Sequence, residues 1–236
     1  MTRILVSLAC VLSVFGSGPA QSVAPSATDD EILQALIPNG KWPEVENLKR
    51  FRRADEIRAL KKAKATATGV RRDSIIWLLA ALKYRYLENR LHVVKLFTSC
   101  HAQPYPTEGP CYDSAAERLM DLFRRGDYSL LKYLFEISPR SDGALSESLG
   151  VFFSNTLVSH PRVLLGELQR RGSLEEQKRI CQAAAHEDGS GMRPQRLGDA
   201  RQILSRQIAR RDRLARVARV CLTQVNVVQK KLAQRP

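Results

Sequence analysis

Signatures of catalysis are what this sequence most clearly lacks. It has no G-x-S-x-G elbow, no H-E-x-x-H helix and no glycine-rich phosphate loop, which removes the motif-based routes to serine hydrolysis, zinc hydrolysis and nucleotide chemistry. His186 and Glu187 begin the zinc pattern, but no second histidine follows at the helical spacing. C-x-x-C pairs are also missing, so a thioredoxin-like redox centre, a haem attachment site and a zinc ribbon are excluded. Aromatic residues make up only 6% of the chain and do not interleave with its basic clusters, which argues against stacking on single-stranded bases. Apolar and polar residues hardly ever alternate over a strand's length, so little β-structure is expected.

Long apolar runs are equally scarce. The one present, Ile4 to Phe15 (ILVSLACVLSVF), follows a short positive start at Arg3 and precedes the small residues Gly16 to Ala20. That order is the pattern of a secretory signal peptide over residues 1–20, with cleavage expected after Ala20. Cys10 after Leu8 and Ala9 raises a lipoprotein alternative, but only Ile4 to Ala9 would then remain as the apolar region. A third reading is a buried N-terminal helix, although the segment has no polar face. Residues 21–27 (QSVAPSA) read as a linker, and nothing further along is long enough to cross a membrane. The expected location is periplasmic or extracellular.

Exported cysteines are usually oxidised, and four remain beyond residue 20: Cys100, Cys111, Cys181 and Cys221. Three pairings exist on paper. The preferred one joins Cys100 to Cys111 across a loop rich in proline (Pro104, Pro106, Pro110), and Cys181 to Cys221. The first ring is short, worth about 3 kcal/mol by loop-closure entropy. His101 and Asp113 beside Cys100 and Cys111 give a metal-site alternative, and free or redox-active thiols a third, but the paired spacing of zinc modules is missing. No metal or other cofactor is therefore expected.

The remaining pattern is helical throughout. Thr28 with Glu31 forms a capping box before a helix ended by Pro38, Asn39 and Gly40. Pro43 then opens a helix from Glu44 to about Lys64. Asp73 starts a strongly apolar helix over 74–98, whose Ile75, Leu78, Leu82, Leu87, Leu91 and Val94 cover more than one face; this is the expected central helix. Shorter helices follow, starting at Ser114 with Glu117, at Asp127, at Asp142, at Pro161 and at Ser173 with Glu176, with Gly126 and Gly172 as stops. Connections this short place successive helices side by side. The expected fold is all-α, an up-and-down array or an α-α superhelix, without a repeated residue signature. Residues 28–188 form the helical domain with a stapled loop at 100–111, and residues 189–196 a flexible joint. Residues 197–236 are expected to carry one long basic amphipathic helix, spanning about 50 Å if unbroken at 1.5 Å per residue.

Charge is the strongest compositional signal. Lys and Arg number 38 against 24 acids, a formal excess of +14. One cluster, with Arg50, Arg53 and Lys61, lies on the early helix; a second, with Arg206, Arg210, Arg211 and Arg213, lies on the last. Faces of this kind attract polyanions in a salt-dependent manner, and these seven residues are the candidate polyanion-binding set. The bland alternative is a solvated surface.

Enzymatic candidates are weaker. Ser129 and Lys132 fit S-x-x-K without its companion motifs, Glu147 lies on an apolar helix as a lone acid, and His92, His101 and His160 are isolated. The expected function is an exported non-enzymatic binding or scaffold protein of the cell envelope, meeting a protein partner or an anionic envelope component. A basic module for anionic lipid, wall polymer or nucleic acid is the alternative, and a cell-wall hydrolase stands third.

Overall fold

The computed structural model describes residues 27–38, 48, 50–101, 112–141, 143–185 and 194–234. The expected signal peptide, Cys111 with its Pro-rich loop, the caps at Pro43 and Asp142, and the joint around 189 all lie outside the described residues.

The fold is all-α. Among the described residues there are eleven α-helices: α1 (Asp29–Leu36), α2 (Arg53–Thr66), α3 (Gly69–Ala81), α4 (Tyr86–His101), α5 (Tyr112–Arg124), α6 (Leu131–Ile137), α7 (Gly143–Ser159), α8 (Pro161–Arg171), α9 (Leu174–Ala185), α10 (Pro194–Ala209) and α11 (Ala215–Ala233). Each of α2 to α5 packs on the helix before it, and α7 is then flanked by α5, α8, α9 and α10. A single apolar cluster runs through the array, from Ile32 of α1 to Val228 of α11.

Several helix ends form as their residues dictate. The Thr28 hydroxyl accepts from the Glu31 backbone N–H, and the Glu31 carboxylate accepts from the Thr28 N–H at 2.8 Å, which satisfies donors that a helix start otherwise leaves open. Pro161 occupies the first turn of α8, where its missing N–H costs nothing. Gly172 ends that helix at φ 74°, a left-handed conformation that a Cβ would strain.

Five expected elements need correction. The single helix over 74–98 is two, because the chain turns at Leu82–Arg85 with Lys83 and Arg85 at positive φ (57° and 41°). Arg53 of α2 donates to the Leu82 carbonyl at 2.6 Å, and Asn89 of α4 donates to the Tyr84 carbonyl at 2.7 Å. Side chains thus satisfy the carbonyls that this break exposes. The long C-terminal helix is likewise a hairpin of α10 and α11, broken where Arg211 takes φ 53°. The Asp212 carboxylate accepts from the Leu214 N–H and from Gln207, both at 2.9 Å, and so starts α11. The early helix begins at Arg53 rather than Glu44. Ser114 lies inside α5, which starts at Tyr112 and not after Ser114. Asp127 precedes a short 3-10 turn and binds side chains instead of capping backbone.

The helix α9 is tied to α11 by a disulfide between Cys181 and Cys221, whose Cα atoms lie 4.8 Å apart. The hairpin that carries the second basic cluster is thereby fixed covalently to the core. The expected pairing of Cys100 with Cys111 lies outside the described residues.

Candidate functional site

The enzymatic candidates do not converge. The Ser129 hydroxyl donates to Asp127 at 2.6 Å and accepts from Arg90 at 2.7 Å, while the Lys132 ammonium lies over the Tyr133 ring at 4.7 Å. Among the described residues no hydrogen bond joins Ser129 to Lys132. Glu147 is exposed on α7. His92 is bonded to Asp73 at 2.8 Å, and His160 to Ser159 at 2.7 Å. Among the described residues no three His, Cys, Asp or Glu side chains are grouped so as to hold a metal ion.

The early basic cluster is largely consumed by structure. Arg58 pairs with Asp29 and Asp55, and Lys62 with Asp29. Both hydrogen bonds of the Arg53 guanidinium go to the Leu82 carbonyl, and Lys61 lies 5.5 Å from the Tyr84 ring centre. Arg50 is exposed. These cations hold α2 to α1 and to the α3–α4 turn, a placement that helical periodicity does not reveal.

The second cluster is arranged differently. Arg206 and Arg210, one turn apart at the end of α10, face the start of α8 across a cleft of about 350 Å³. His160, Arg162 and Val163 form the α8 wall, and Ile203 with Gln207 completes the α10 wall. Arg211 and Arg213, from the same expected set, lie in the turn beyond, and Arg50, Arg53 and Lys61 take no part.

Three features make the cleft positive. First, α8 starts with no side-chain cap and no acid in its first turn, so none of its own side chains offsets its N-terminal dipole. Second, Arg206 and Arg210 have no carboxylate partner among the described residues. Third, the acid that pairs with the α8 wall is already engaged: Asp212 binds the Leu214 N–H, Gln207 and, at 2.9 Å, Arg162. The Leu214 N–H, with help from Gln207 and Arg162, holds the Asp212 carboxyl below its ordinary range. It is therefore ionised and occupied by partners other than Arg206 and Arg210. Cations in the last turn of a helix are themselves favoured by its dipole, which lets two arginines stand one turn apart without a counter-ion.

Sequence reasoning found Arg206 and Arg210, named His160 only as an isolated histidine, and missed Arg162 and Gln207. The available signal was the acid-free start of α8 after His160. That it faces α10 follows only from the hairpin, which the sequence pattern conceals. Comparisons with protein-family models, curated proteins and solved structures find no match.

Proposed function

We propose that this is an exported, all-helical, non-enzymatic binding protein that holds an anionic group of an envelope partner in the cleft between α8 and α10. Export rests on the pattern of residues 1–20. Anion binding rests on one observation above all: Arg206 and Arg210 face an uncapped helix start across an open cleft, with the nearby Asp212 already engaged. Guanidinium groups suit phosphate, sulfate and carboxylate because their planar donors match those oxygens two at a time. The partner supplies the charge and the protein supplies a fixed frame, clamped by the Cys181–Cys221 disulfide.

Polyphosphate binding measured at low and high salt tests this reading. The double reversal R206E/R210E should weaken binding by about tenfold or more. The charge-matched reversal R216E/R219E, on the exposed face of α11, should weaken it only by the general change in net charge. Equal losses from both pairs would show that total charge, not the cleft, attracts the polyanion.

A further inference from the structure

Two leucines expected in the core are on the surface. Leu87 is 80% exposed and Leu91 50%, because the turn at Leu82–Arg85 resets the rotation of α4 relative to α3. They lie one helical turn apart, so they form a single apolar ridge. Lys95 continues that line one turn further and is exposed, while Lys83, in the turn before α4, lies over the Tyr86 ring at 4.2 Å.

A cationic cleft of about 250 Å³ adjoins the ridge. Leu91 forms part of its wall with Ile76, and Lys64, Arg72 and Lys95 bring three positive charges to it. Arg72 and Lys95 have no carboxylate partner among the described residues. Glu88, the one acid on the wall among the described residues, is engaged by Arg85 at 3.5 Å. His92 is held by Asp73.

Two exposed leucines continued by Lys95 and adjoined by a cationic cleft form an amphipathic face that suits an anionic interface. We infer that this face of α3 and α4 docks on an anionic membrane surface, with Leu87 and Leu91 entering the interface and Arg72, Lys95 and Lys64 meeting headgroups. The chemistry is that of an interfacial helix: apolar side chains reach the acyl boundary while basic ones stay at headgroup level. The charge complementarity favours the membrane over a second copy of this chain, which would bring the same cations face to face. The contact is peripheral and reversible, since two leucines form only a small apolar area.

Co-sedimentation with phosphatidylglycerol/phosphatidylcholine vesicles, against phosphatidylcholine alone, tests the inference. The protein should partition at least about tenfold better onto the anionic vesicles at low salt. The variants L87S/L91S and R72E/K95E should each lose about tenfold of that partition, while R206E/R210E should keep the dependence on the leucines. Both altered pairs are exposed, so circular dichroism should show an unchanged fold. A third variant, L91W, should show a blue-shifted emission with anionic vesicles only. Three results would overturn the inference: no preference for anionic vesicles, binding indifferent to the leucines, or a dimer in sedimentation that L87S/L91S dissolves.

Discussion

Cys181 of α9 and Cys221 of α11 are joined in the centre of the C-terminal helices, both without solvent exposure. The bond closes a ring spanning 40 residues of separation, and that ring contains all of α10 with Arg206 and Arg210. Restricting the unfolded chain over such a ring is worth about 4 kcal/mol in the loop-entropy treatment. The variant C181A/C221A should therefore lose roughly 2–4 kcal/mol in urea unfolding, and reductant should affect its midpoint far less than that of the parent. Loss of anion affinity together with stability would show that the bond also holds the cleft in shape.

Glu56 gives the clearest pH signature. It is completely buried on α2, and among the described residues neither carboxylate oxygen finds a hydrogen-bond donor at good geometry. Burial pushes its carboxyl up, against a smaller opposing pull from the Phe51 backbone and the Arg125 charge. A folded-state pKa above the unfolded value means that the folded protein prefers the protonated acid, so this group penalises folding at neutral pH and ceases to as pH falls through the raised value. E56Q should therefore stabilise the protein at pH 7 by about 1 kcal/mol. The gain should shrink toward nothing near pH 4, as measured by unfolding of both proteins across that range.

Asp127 behaves in the opposite sense. Burial alone would raise its carboxyl, but hydrogen bonds from Ser129, Tyr86 and Arg90, with the Arg90 charge, bring it below the ordinary range. Its stabilisation is complete above the unfolded carboxylate range and disappears as pH falls through the lowered value. D127N leaves the partly buried Arg90 without its counter-ion and should cost about 2 kcal/mol at neutral pH. The cost should vanish only in strong acid, which a pH series of thermal midpoints would reveal.

The helix ends marked by special residues were legible in the sequence: Thr28 with Glu31, Pro161, Gly126 and Gly172 all mark real boundaries. Breaks made from ordinary residues were not. Lys83, Arg85 and Arg211 are good helix formers, so local propensity runs straight through both turns. What breaks the helices there is distant in sequence or easily passed over. Arg53 reaches the Leu82 carbonyl from another helix, and Asp212 starts α11 in the middle of a basic run. The same blindness explains why Leu87 read as core and why the cleft beside α8 was invisible. Charge clusters identified Arg206 and Arg210 from composition, yet Arg53, from the same reasoning, turned out to be a structural bond.

Arg53 separates those two roles experimentally. Its guanidinium donates twice to the Leu82 carbonyl, and hydrogen bonds involving a charged group contribute about 1.5–3 kcal/mol. R53M keeps the alkyl stem and removes the donors, so it should destabilise the protein by about 1–2 kcal/mol. Polyphosphate affinity of the folded variant should stay within the change expected for one lost charge. A large selective loss of affinity would place Arg53 in a binding surface after all.

Arg206 and Arg210 act together on one anion, and NMR of the arginine Nε–H groups reads that joint action out. Titration with inorganic phosphate should move the Arg206 and Arg210 resonances together along one saturating curve, ahead of the exposed Arg216 and Arg219. A uniform drift of all exposed arginines, or no saturation at Arg206 and Arg210, would contradict the claim and leave the basic helix as solvated surface.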